Sequence, residues 1–213
     1  MKRTVLIMAA FVFWALFAPP GADATGKVIT IGTEVTGNRI PWRGLGGAAL
    51  RFQCLWLQAD INVPGFVNVV EFKYSSGHTS GAFNNVRVWM CHTNKSALVA
   101  TFDVNYAGNT PTQVMDELTL TLSGTGWLDV GIDANTFNYN NRDNLLMEIR
   151  WKGASGRNVY CKIYDATAGR CYAFNDAASS GTVVNEGQYI RLHINTMAGV
   201  EPTSLGRVRA LYR

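Results

Sequence analysis

Apolar and polar residues alternate with a period of two along most of this chain. Residues 48–60 show the pattern at its longest: Leu50, Phe52, Cys54 and Trp56 fall on one side, and Arg51 and Gln53 on the other, before Leu55 and Leu57. Period two sends successive side chains to opposite faces of a sheet. The same alternation marks residues 27–32, 67–74, 86–91, 118–122, 127–132, 145–151 and 190–194, with a shorter stretch at 98–104. Residues 159–163 and 171–174 read as two arms of a hairpin around the turn-rich Asp165-Ala166-Thr167-Ala168-Gly169. No long stripe of helical period interrupts the series. About ten short strands separated by Gly, Asn, Asp, Ser and Thr predict an all-β, two-layer antiparallel sandwich. Alternation also argues against a parallel α/β sheet, whose strands are apolar on both faces. Trp56, Phe72, Trp89 and Ile149 are the expected inner-face core, and Glu148 the expected solvent side of its strand.

The first residues break the pattern. Lys2 and Arg3 precede an apolar run from Val5 to Phe17, then Pro19, Pro20 and the small-x-small triplet Ala22-Asp23-Ala24. That order predicts a secretory signal peptide cleaved after Ala24; the run falls short of the ~20 apolar residues of a membrane span. The expected organisation is a signal peptide at 1–24, an extended segment at 25–43, the sandwich at 44–195 and a basic tail at 196–213. The expected setting is secreted, on the cell surface. Nineteen basic and 15 acidic residues give a formal charge of +4, spread too thinly for a nucleic-acid patch.

Four cysteines in an exported chain predict disulfides. Cys161 with Cys171 would close the expected hairpin, leaving Cys54 with Cys91. Zinc is excluded by the lack of any CxxC pair and the scatter of the three histidines.

Candidate chemistry is sparse. There is no G-x-S-x-G elbow; His78, His92 and His193 read as surface residues, and no two carboxylates stand out as a glycosidase pair. The oxygens of Asp129, Asp133, Asn135, Asn138, Asn140, Asn141 and Asp143 offer a calcium site, although turn geometry accounts for such residues equally well. Trp42, Tyr106, Trp127, Tyr139 and Tyr172 are the aromatics available for a glycan platform.

Three patches carry a family resemblance. The first is Ile31-Gly32-Thr33 with Asn38-Arg39-Ile40-Pro41 and Cys54-Leu55-Trp56-Leu57. The second is Phe137-Asn138-Tyr139-Asn140 with Asn144-Leu145-Leu146-Met147-Glu148-Ile149. The third is Arg170-Cys171-Tyr172-Ala173-Phe174-Asn175-Asp176 with Tyr189-Ile190-Arg191-Leu192. In order and spacing they resemble β-sandwich modules of large exported surface proteins from Bacteroidetes-like and related uncultured bacteria. The resemblance implies a jelly-roll-like sandwich in an extracellular setting and no single activity.

Two functions follow as expectations. One is a non-enzymatic structural subunit of an extracellular fibre or surface layer, self-associating through strand-like ends, with Val208, Ala210 and Tyr212 of the tail filling pockets and Arg207 and Arg209 meeting acidic neighbours. The other is a secreted carbohydrate-binding or adhesive module. Neither needs a cofactor, a nucleic acid or a membrane span.

Overall fold

The computed structural model describes residues 25–38, 40–44, 49–132, 134–156 and 158–196. The predicted signal peptide and the tail residues Arg207, Val208, Arg209, Ala210 and Tyr212 lie outside them.

The described chain is all-β, an antiparallel sheet curled into a half-barrel. Its strands are β1 (Thr25–Ile31), β2 (Thr36–Asn38), β3 (Ala49–Trp56), β4 (Gly65–Gly77), β5 (Ser80–Thr93), β6 (Thr112–Ser123), β7 (Trp127–Gly131), β8 (Phe137–Tyr139), β9 (Asn144–Lys152), β10 (Ala154–Gly156), β11 (Val159–Ala173), β12 (Thr182–Gln188) and β13 (Ile190–Thr196). One helical turn, α1 (Gln58–Ile61), and a 3-10 helix at Phe102–Tyr106 complete the elements. Neighbouring strands run β1-β13-β4-β11-β3-β9-β5-β10, with β12 and β2 also on β11, β6 on β5, and β7 and β8 on β4.

β4 serves two parts of the sheet. Its first residues pair with β13, β7 and β8, and its last ones, from Tyr74 on, with β11. Inward residues of all these strands meet in one core that includes Phe52, Trp56, Phe72, Phe83, Leu128, Ile149, Trp151 and Ile190. Trp42 fastens it, lying edge-on to Phe72 at 5.7 Å and against Phe83 at 5.1 Å between ring centroids. Each large apolar side chain removed from water contributes roughly 1.5–3 kcal/mol.

Four expectations are corrected. First, the segment 25–43 is not an extension outside the core: β1 is hydrogen-bonded beside β13, and Ile31, Ile40 and Trp42 are buried. Second, residues 98–104 do not form a strand. Asp103, Asn105, Gly108 and Asn109 favour turns, and the 3-10 helix forms there instead. Third, Trp89 is partly exposed and lies opposite Glu148, on the face away from the main core.

The fourth correction concerns the cysteines, all of them buried free thiols. Residues 165–169 do not turn the chain back. They bulge out of a single long strand, β11, which pairs with β12 on both sides of the bulge. Ile163 lies opposite Gln188 and Cys171 opposite Val183, so the two sites are five residue steps apart along β12. At ~3.3 Å per strand residue that is about 17 Å, whereas a disulfide needs Cα atoms within ~7 Å. Cys161 lies farther still along β11. Cys54 and Cys91 are also incompatible. Cys54 faces the main core opposite Met147, which lies opposite Met90; Cys91, one residue on, points to the other face. Burial raises the Cys54 thiol to about 12 and those of Cys91 and Cys171 to about 11, which keeps them protonated and unreactive.

Candidate functional site

The densest chemistry sits on the outer face of β3 and β9. Pairing places Arg51 opposite Arg150 and Gln53 opposite Glu148, while β5 sets Arg87 against Arg150 and Trp89 against Glu148. Three arginines thus stand in a row across neighbouring strands, with a carboxylate in the row beside them. Such a row is repulsive unless an anion is shared among its members.

For Arg51 and Arg150 that anion is Glu148, which is fully buried, while Arg87 has Asp116 opposite it on β6. Glu148 Oε2 accepts from Arg51 Nη2 at 3.1 Å, Gln53 Nε2 at 2.7 Å and the Tyr106 hydroxyl at 2.7 Å; its Oε1 accepts from Arg150 Nε. Burial disfavours the Arg51 cation, but Glu148 and Asp103 outweigh it and its pKa stays above the usual value. Burial, reinforced by the Glu148 charge, pushes the Tyr106 phenol up, so it remains a donor.

A strap, residues 94–110, covers this face. Leu98, Phe102 and Tyr106 pack on Leu55, Leu146, Cys91 and Cys171 to form a second apolar cluster. Asn105 holds the strap as a strand partner would: its Oδ1 accepts from Val99 N at 2.8 Å, and its Nδ2 donates to Val99 O at 2.9 Å and to Gln53 Oε1 at 2.8 Å. Arg51 also stacks on Phe102, donates to Asp103, and reaches the carbonyl of Ala178 at 2.8 Å.

Those contacts shape a cleft nearby. Phe102 N donates to Ser179 O, Thr101 bridges to Ser180, and Gly181 N donates to Ala100 O. The turn after β11 is therefore fastened to the strap. It faces a cleft of about 390 Å³ lined by Tyr172, Ala173, Phe174, Ser180, Gly181 and Thr182. A Cβ on Gly181 would come within 2.6 Å of Tyr172 O and 2.8 Å of Phe102 Cζ, so glycine permits this close approach. The Tyr172 and Phe174 rings are 5.6 Å apart, and the Arg43 guanidinium lies 4.5 Å from the Phe174 ring centre.

The other aromatics named from the sequence separate by burial. Trp42, Tyr106 and Tyr139 are buried, whereas Trp127 and Tyr172 are partly exposed. Trp127 lies on β7 opposite Lys73, against Tyr189, with the Arg191 guanidinium 4.1 Å from its ring centre. Glu71, Asp129 and His193 adjoin it; His193 Nε2 is 2.8 Å from Glu71 Oε2, and burial together with Glu71 raises the Asp129 carboxyl. This face is already engaged in its own cation–π and ionic contacts. His78 is exposed, as expected. His92 is partly buried against Phe137 and Tyr139 and accepts from Asn140 N at 3.1 Å, which departs from the surface position expected for it.

Three of the residues considered for calcium already use their oxygens as hydrogen-bond acceptors. Asn140 Oδ1 accepts from Arg142 N and Asp143 N, Asp143 Oδ2 from Asn140 Nδ2, and Asn141 Oδ1 from Gln58 Nε2. Asp133 lies outside the described residues. Among the described residues no group of three or more His, Cys, Asp or Glu is placed to hold a metal, and no helix is long and apolar enough to cross a membrane.

The buried carboxylate was legible as an outward-facing residue but not as a buried one. The available signal was Leu55 and Leu146, two apolar residues on the face expected to be wet. No protein-family model matches the chain, and no curated protein matches its sequence.

Proposed function

We propose that this protein is a non-enzymatic structural subunit of an extracellular fibre or surface layer, exported by its N-terminal signal sequence and assembling by strand addition. The finer architecture proposed is a two-layer, jelly-roll-like sandwich. Support comes from the single core shared by residues of β4, β7 and β13 and residues of β3, β5 and β9.

The observation that carries the functional reading is the edge at β6. Among the described residues this twelve-residue strand pairs only with β5, and it holds Leu118 82% exposed. Long edges with exposed apolar residues template the addition of a further strand. Asp116 and Glu117 on β6 favour a donor carrying positive charge, as the tail residues Arg207 and Arg209 do. Glu148, the fully buried carboxylate, is meanwhile enclosed by four donors within the fold. Head-to-tail strand addition generates an open filament.

Electron microscopy and sedimentation of residues 25–213 test this. Polymers that grow with concentration, and that disappear on deletion of 197–213 or on Leu118→Lys, are the expected result. Monodisperse monomers at high concentration would reject it.

A second reading, a secreted glycan-binding or adhesive module, is favoured by the cleft at Tyr172 and Phe174, where partly exposed aromatic rings and the hydroxyls of Ser180 and Thr182 line one opening, with the Arg43 guanidinium beside it.

A further inference from the structure

We infer that the cleft between the end of β11 and the start of β12 is a binding site for an acidic saccharide, a uronate-containing glycan, with Tyr172 and Phe174 as the stacking surface and Arg43 as the carboxylate partner. The inference rests on the glycan-binding reading and is independent of assembly.

The ring pair is the first observation. Phe174 is 45% exposed, an unusual position for a phenylalanine in a chain that buries most of its large aromatics. It is not stranded on a loose turn. Asn175 Oδ1 accepts from Ala177 N, Ala178 N donates to Asn175 O, and Ala178 O is held by Arg51. The buried outer-face network therefore reaches the turn that follows Phe174 and fixes it. Aromatic faces held this way offer the apolar surface on which the C–H face of a sugar ring stacks.

The polar groups are the second. Ser180 and Thr182 line the cleft opposite the rings and supply hydroxyls that donate and accept, as sugar hydroxyls require. At about 390 Å³ the cleft sits near the small end of the ~300–1,000 Å³ typical of ligand sites. It suits one sugar ring of a longer chain, with neighbouring rings outside.

Charge is the third. Arg43, half-buried beside the cleft, holds its guanidinium 4.5 Å from the Phe174 ring centre. A carboxylate accepting from a guanidinium forms a strong, geometrically specific pair. An anionic sugar satisfies the stacking surface and the guanidinium together. A neutral sugar satisfies only the first.

Heteronuclear NMR titration of residues 25–213 tests the inference, with trigalacturonate as the acidic probe, cellotriose as the neutral one and triglutamate as a charge control. The expected result is saturable shifts at Tyr172, Phe174 and 180–182 with trigalacturonate, at least about tenfold weaker binding of cellotriose and triglutamate, and loss of that preference in Arg43→Gln. Phe174→Ala, at an exposed position, should melt like the parent and lose binding of both sugars. Equal binding of the two trisaccharides at the cleft would overturn the acidic assignment and leave glycan binding standing. Triglutamate binding as tightly as trigalacturonate would overturn sugar recognition in favour of simple charge attraction. No response to any saccharide would overturn both this inference and the glycan-binding reading.

Discussion

On the inner face of β3 and β9, Phe52 lies opposite Ile149 and Cys54 opposite Met147. One residue along, on the outer face, Arg51 lies opposite Arg150 and Gln53 opposite Glu148. On the outer face Arg51, Gln53 and Glu148 are as buried as the core, and only Arg150 of the four keeps part of its side chain in water. The inner face is held by shape and apolar area, which tolerate variation in detail but need no partner atoms. The outer face is held by an ion network whose worth depends on every member being present, since an unpaired buried charge costs several kcal/mol. The inner face thus holds the curled sheet together, while the outer face fixes one particular segment, the strap, in one position.

The largest test breaks the inner face. Ile149→Asp places an unpaired carboxylate in the core and should remove cooperative unfolding, a loss above about 4 kcal/mol in urea denaturation. A retained sharp transition would put Ile149 outside the core. Next comes the outer face: Glu148→Leu leaves Arg51 and Arg150 without their shared anion and should cost about 3–5 kcal/mol. Adding Arg51→Met should recover part of that loss, and hydrogen exchange should show the strap opening in the single variant. Strictly additive costs would show that the two side chains do not act as a unit. Tyr106→Phe removes one donor from the same carboxylate, for an expected loss of about 1.5–3 kcal/mol with the inner face unaffected.

A smaller effect distinguishes the rim of the inner face. Burial depresses the His92 imidazole below its ordinary 6.5, partly countered by Asp143. The folded state therefore prefers neutral His92. Its contribution is complete above pH 6.5 and is lost as pH falls below that value through the folded pKa. Denaturation midpoints at pH 7.5 and 5.5 should differ more for the parent than for His92→Gln. The smallest effect expected is none: reductant should leave the melting temperature unchanged, and all four thiols should react with Ellman's reagent only after denaturation. A reductant-sensitive melt would mean disulfides that β11 and the two faces do not allow.

Much of this was legible beforehand because alternation is a local signal. The strands around Phe52, Val88, Leu120, Met147 and Leu192 announce themselves by period two, as does the outward direction of Glu148. What failed were readings that depended on distant chain. The run from Leu98 to Val104 alternates, yet Asn105 answers Val99 with a side-chain amide, so no strand forms. Residues 165–169 hold the composition of a hairpin loop, but β12 pairs on both sides of them and turns them into a bulge. The cleft at Tyr172 was visible only as one aromatic among several, since Arg43 and Phe174 meet across 131 positions of sequence.

By itself the sequence determined the all-β class, the position of most strands and which side chains share a face, because those follow from the geometry of a pleated chain a few residues long. Tertiary structure alone decided which faces are dry, that the four cysteines stay apart, and that Arg43 comes to lie beside a cleft lined by residues 172–174 and 180–182. Burial and proximity depend on what the rest of the chain lays over a strand, and no local pattern records that.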